Sequence, residues 1–241
     1  MNTLMNAETF EMVDGAKSSF FQGLREAIPV GVSFFFLFLA VGIASKAAGL
    51  TVLHSALMSL VVFAAPAQFV VLDLMGHNRP WLDILVATFI INSRFFVMAT
   101  TLVPYFRGTS LPRILGAIPM LSASTFAVPF MRFKQDADVR PFEYYLGVSA
   151  GSYPIAVAAT ALGLLLVQNL PLWLLEMFKM ILPIYFTTLL AKEWPKSRPL
   201  LAALLGFVGT PLVELVTPGF GMMLIAVVVG FGVGLPYGGE K

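Results

Sequence analysis

The chain has 241 residues, of which 58% are hydrophobic and 12% charged, with 15 Lys or Arg, 13 Asp or Glu, and a formal net charge of +2. Soluble domains carry about 25% charged residues, so this deficit excludes an ordinary water-soluble domain, and so small a net charge leaves no footprint for nucleic acid. The absence of cysteine excludes disulfides, thiol catalysis and cysteine-ligated metal.

The apolar residues gather in runs long enough to cross a hydrocarbon core of about 30 Å, and the alternating pattern of an outer-membrane barrel is not seen. The expected fold is an all-α polytopic integral membrane protein of about eight transmembrane helices, some broken by proline or glycine. It divides into a short lead-in at 1–26, a single transmembrane domain at 27–236 and a tail at 237–241. The lead-in carries Glu8, Glu11, Asp14, Lys17 and Arg25 and lacks an apolar core with a small-residue cleavage site. It is therefore read as an interfacial or disordered segment and not as a signal peptide.

The first span is expected at 27–44, with Pro29 at its start and Gly31 and Gly42 as contact points. The second runs over 51–75 and should kink around Val62–Pro66, because Pro66 lacks a donor and crowds the carbonyl four residues back. Gly76-His77-Asn78-Arg79-Pro80 is a turn signal. The third span, 81–103, holds the polar triplet Asn92-Ser93-Arg94 near its middle, and Tyr105, Phe106 and Arg107 form an interfacial end. A fourth, 111–131, is punctuated by Pro112, Pro119 and Pro129 and either crosses or enters as a broken or re-entrant element. Residues 132–143 read as a charged loop. The fifth, 144–167, is interrupted at Gly151-Ser152-Tyr153-Pro154; the sixth, 172–191, contains Glu176, Lys179 and Pro183; the last two fall at 200–216 and 220–235.

Basic residues test the orientation. In the eight-span scheme Lys17, Arg25, Arg79, Arg132, Lys134, Arg140, Lys192, Lys196, Arg198 and Lys241 share one side, ten in all, against Lys46, Arg107 and Arg113 on the other. This bias puts both termini in the cytoplasm. If the fourth segment does not cross, seven spans remain and the N-terminus moves outside. Spans one to four and five to eight also suggest a two-half repeat, each half with a proline-broken helix (Pro66 and Pro154), the kind of pairing that points to a transporter's mid-membrane site.

Polar groups at membrane depth are costly and need a partner or a wet cavity. Gln68, just beyond the expected kink, either recognises an ammonium or carboxylate together with freed backbone groups or bonds to a neighbouring helix. Arg94 either holds a substrate carboxylate in a bidentate fork or forms a structural ion pair with Asp73, Glu176 or Glu214. Asn92 and Arg94 lie about 200° apart on a regular helix, so both face one ligand only if the helix is irregular there. Glu176 and Lys179, three apart, suit mutual neutralisation. Glu214 is a coupling carboxylate, an Arg94 partner or an interfacial acid. The break at Gly151–Pro154 offers amides to an anion. His54 and His77 stand alone, and no hydrolase, metalloprotease or phosphate-loop signature is present. A metal site, a cofactor and an enzymatic activity are therefore not expected.

SALMSLVVFAAPAQFVVLDLM followed by IINSRFFVMATTL resembles the signature region of the AzlC family of branched-chain amino acid permeases, through Met58, Ser59, Val62, Phe63, Ala64, Ala67, Gln68, Phe69, Asn92 and Arg94. The lead-in with Gly23 and Pro29 is similar too. The chain departs from the family pattern at Ala65-Pro66-Ala67 and at Leu121-Ser122-Ala123-Ser124, where two acidic residues are usual. The resemblance implies a secondary transporter of the cytoplasmic (inner) membrane that exports branched-chain or related neutral amino acids beside a small AzlD-type membrane subunit. It assigns Arg94 to the substrate carboxylate, and Gln68 and Asn92 to the amino group or to the helix break at Pro66. Phe63, Phe69 and Phe95 would take the aliphatic side chain, with Ser93, Ser122, Ser124 and Thr125 as further contacts. The other readings are a channel or permease subunit for another small zwitterion or metabolite, and a non-transporting membrane interaction protein.

Overall fold

Twenty residues of α-helix measure about 30 Å, the thickness of a bilayer's hydrocarbon core, and three stretches of the chain reach that length with the required apolarity: Ile28–Ala47, Trp81–Tyr105 and Pro141–Leu166. The computed structural model describes residues 15–135, 139–167, 170–180, 184, 187–188, 190–191, 197–216, 224–225, 228–229 and 232. Among them all regular structure is helical. The chain divides into two units, Met1–Phe178 and Lys179–Lys241.

In the first unit α1 (15–26) leads into α2 (Ile28–Ala47). The backbone ladder runs through the joint, with Ala27 N bonded to Gly23 O at 2.9 Å and Gly31 N to Ala27 O at 2.8 Å. Pro29 sits in the first turn of α2, where its missing donor is harmless. Residues 15–26 are thus an ordered helix, which corrects the disordered alternative for that part of the lead-in. Thr51 caps α3 (Val52–Val61), its hydroxyl accepting from His54 N at 3.3 Å.

The second span is two helices, α3 and α4 (Ala65–Gly76), parted at residues 62–64. Val62 (φ −114°, ψ 85°) and Ala64 (φ −146°, ψ 88°) leave helical conformation. This is the expected kink carried to a full break. Pro66 cannot continue a helix from upstream but fits the first turn of a new one. The turn after α4 is also as expected, with Asn78 at φ 53°, a left-handed conformation that Asn tolerates.

The third span is α5 (Trp81–Asn92) and α6 (Arg94–Leu102), separated by Ser93 and closed by a 3₁₀ turn at Val103–Tyr105. The fourth is α7 (Leu111–Ala117), a 3₁₀ turn at Ile118–Met120 and α8 (Ala123–Gln135), a broken element. Then come α9 (Pro141–Leu166) and α10 (Leu172–Lys179). The charged stretch 132–143 is not a loop throughout, since α8 extends to Gln135 and α9 begins at Pro141. The interruption expected at Gly151–Pro154 is absent: α9 is continuous through it. Ser152 Oγ bonds Val148 O at 2.9 Å, and the carbonyl that loses its donor to Pro154 belongs to the exposed Ala150. In the second unit α11 (Ser197–Val216) matches the expected seventh span; 220–235 lies for the most part outside the described residues.

The core of the first unit is a seam of glycines. A Cβ added at Gly23 would lie 2.2 Å from Tyr144 O, at Gly31 2.9 Å from Gly151 O, and at Gly42 2.1 Å from Thr160 O. From the other side, a Cβ at Gly147 would meet Phe20 O at 2.0 Å and one at Gly163 would meet Leu39 O at 2.1 Å. Contacts advance together along both chains, so α1–α2 and α9 run parallel with backbones touching, the close approach small residues allow between membrane helices. A second cluster joins Leu102, Phe106, Ile114, Leu121, Phe142 and Tyr145, and Tyr145 Oη donates to Ala117 O at 3.0 Å at the end of α7.

Candidate functional site

A helix broken inside lipid frees carbonyls that water cannot reach, and each must find a donor within the protein. At the α3–α4 break Tyr153 of α9 donates its hydroxyl to Leu60 O, and Gln68 Nε2 donates to Val62 O at 2.7 Å. The second N–H of Gln68 goes to Ser59 Oγ at 3.1 Å. Ser59 and Thr160 hydroxyls lie 2.8 Å apart, and Thr160 Oγ1 donates to Ala156 O at 3.0 Å. Since Thr160 spends its proton on Ala156, Ser59 donates to Thr160, and the chain has a single direction: Gln68 to Ser59 to Thr160 to Ala156. Gln68, Ser59 and Thr160 are each fully buried.

Both N–H groups of Gln68 are thereby used, and its carbonyl oxygen Oε1 is buried without a partner. An orphan acceptor of this kind costs about 1–3 kcal/mol. Phe63 lies beside the break, stacked on Phe38 at 5.6 Å and edge-on to Phe34 at 5.3 Å and Tyr153 at 4.9 Å. Pro66 and Phe69 flank Gln68, both partly buried.

The other expected site residues are placed as follows. Gln68 makes no hydrogen bond to Asn92 or Arg94. Asn92 and Arg94 are partly buried on either side of an exposed Ser93, whose Oγ bonds Ile90 O at 2.7 Å. Ser93 keeps helical angles (φ −54°, ψ −28°), so the irregularity is too slight to turn Asn92 and Arg94 to one side. The Arg94 guanidinium lies 5.2 Å from the Phe95 ring centroid. Asp73 is exposed, and its Oδ1 sits 3.7 Å from His77 Nδ1. Ser122 and Thr125 are buried and cap α8 reciprocally: Ser122 N meets Thr125 Oγ1 at 2.7 Å and Thr125 N meets Ser122 Oγ at 3.2 Å, a capping-box arrangement. Ser124 is partly buried. Glu176 and Lys179 belong to α10 and Glu214 to α11, but their side chains lie outside the described parts.

Sequence reasoning missed Thr160 and Tyr153 at this site. Neither carries a local signal, because each acts on a helix about a hundred residues earlier.

No curated protein and no solved structure matches the chain. A family model described as AzlC protein matches residues 29–170, more than half of the chain, from the first turn of α2 to just beyond α9. The chain belongs to the AzlC family.

Proposed function

We propose that this protein is a secondary transporter exporting branched-chain or related small neutral amino acids across the cytoplasmic membrane, working with a small AzlD-type subunit. Family membership supports a role related to branched-chain amino acid transport. The observation that carries the rest is the break between α3 and α4, with the orphan Gln68 Oε1 beside it. A discontinuous helix near the middle of a span is where transporters build substrate sites. A buried acceptor lacking only a donor suits a substrate ammonium. Arg94 takes the carboxylate, and Phe63, Phe69 and Phe95 meet the aliphatic chain.

The topology that goes with this is eight spans with both termini cytoplasmic. Two parallel spans, α2 and α9, require an odd number of crossings between them, and three helical stretches are available: α3–α4, α5–α6 and α7–α8. The test is efflux of preloaded labelled leucine, isoleucine, valine and methionine, with and without a candidate small subunit, alongside Arg94→Gln. Saturable efflux abolished in the variant, at normal membrane level and detergent elution, is the expected outcome. Unsaturable flux would indicate a channel. No flux of any of the four would leave the engaged donors of Gln68 as helix glue and favour an interaction protein.

A further inference from the structure

A groove of about 880 Å³ opens beside the joint of α1 and α2, lined among others by Phe21, Gln22, Arg25, Glu26, Pro29 and Val128. Arg25 and Glu26 are neighbours in sequence, and consecutive residues on a helix diverge by about 100°, so they do not neutralise each other. The helix offers no counter-ion either: three and four residues from Glu26 stand Gln22, Gly23, Pro29 and Val30, and from Arg25 stand Phe21, Gln22, Ile28 and Pro29. Among the described residues neither forms an ion pair.

The carboxylate is nevertheless held in place. Gln22 Nε2 donates to Glu26 Oε1 at 3.2 Å, and the Tyr144 hydroxyl donates to Glu26 Oε2. Each oxygen keeps acceptor capacity for a further donor. The groove is thus lined by a fixed, partly buried anion and an exposed cation. Phe21, Pro29 and Val128 supply an apolar wall.

We infer that this groove is a second recognition site for a small neutral amino acid, with Glu26 taking the ammonium, Arg25 the carboxylate and the apolar wall the side chain. The inference rests on the reading of the chain as a carrier of neutral amino acids. It adds a site distinct from the α3–α4 break, on the part of the first unit that carries α1, Arg132, Lys134 and Arg140. In the proposed topology that part is cytoplasmic, so the groove is where an exported substrate is first captured.

The experiment is equilibrium binding of labelled L-leucine to the purified full chain, then efflux, for the unaltered protein, Glu26→Gln and Arg25→Gln. Arg25 is exposed, so its variant folds irrespective of Glu26. Loss of one charge-assisted contact is expected to raise the half-saturating internal leucine concentration about tenfold, with the maximal rate kept. 3-Methylbutylamine, which lacks the carboxylate, should compete equally well with and without Arg25, and 4-methylpentanoate, which lacks the amine, equally well with and without Glu26. Efflux with unchanged half-saturation in both variants overturns the groove and leaves the transporter standing. Binding weakened by both variants without any efflux upholds the groove and overturns export. Absence of leucine binding, or a lower maximal rate at unchanged half-saturation, overturns the groove.

Discussion

Gln68 joins two requirements at one residue: it closes the break that Pro66 makes, and it leaves one acceptor open. A primary amide is the only uncharged side chain with two donors on one atom, and here both are spent, on Val62 O and Ser59 Oγ. Gln68→Leu removes both bonds while filling similar space, at a cost of about 2 kcal/mol for two ordinary hydrogen bonds. Gln68→Glu keeps the shape but turns acceptors toward Val62 O and Ser59, and buries a charge if ionised, so it should cost more. Melting of the purified protein in detergent is therefore expected to fall in the order unaltered, Leu, Glu. Equal melting for all three would mean that Gln68 does not staple the break.

At the scale of elements, two prolines with the same local signature behave differently, and packing decides between them. Pro66 lies where the chain breaks and restarts; Pro154 lies in a helix held against α1–α2 by Gly147, Gly151 and Gly163. Neighbouring helices make proline tolerable inside a membrane helix, so the break at Pro66 was legible from residue chemistry while the continuity at Pro154 was not. The proline-paired repeat inferred from the two prolines loses its second member for the same reason. Ser122 and Thr125, given as further contacts by the resemblance, also cap α8, a role the sequence analysis did not assign to them. The first five apolar stretches were legible to within a few residues, because length and composition alone set them. The seam gives a sharp expectation. Gly163→Ala places a Cβ 2.1 Å from Leu39 O, a backbone atom that cannot turn aside, so it should destabilise by about 1–3 kcal/mol as overpacking does. Gly206→Ala, with nothing within 4 Å, should be neutral or slightly stabilising, since alanine is the better helix former. Comparable melting temperatures for the two variants would dissolve the seam.

Across the whole molecule, the register of α2 against α9 constrains a topology that hydropathy alone left open between seven and eight spans. Gly23 meets Tyr144, Gly31 meets Gly151 and Gly42 meets Thr160, a steady advance that only parallel helices give. Two parallel membrane helices in one chain enter from the same side, so the chain between them crosses an odd number of times. In the proposed eight-span topology α3–α4, α5–α6 and the segment from α7 to α8, with its break at residues 121–122, supply three such crossings. Residues 107 and 135, before and after that segment, then lie on opposite faces. The cysteine-free sequence makes this directly measurable, because Asn78→Cys, Arg107→Cys and Gln135→Cys each introduce a single thiol at an exposed position. The ten-to-three distribution of basic residues predicts which face is which. A membrane-impermeant maleimide added to intact cells should label the variant at 107, and those at 78 and 135 only after permeabilisation. Labelling at 107 and 135 from the same face would mean that the fourth segment turns back within the membrane and would overturn the eight-span topology; the parallel α2 and α9 would then need α3–α4 to turn back as well, leaving α5–α6 as the one crossing between them.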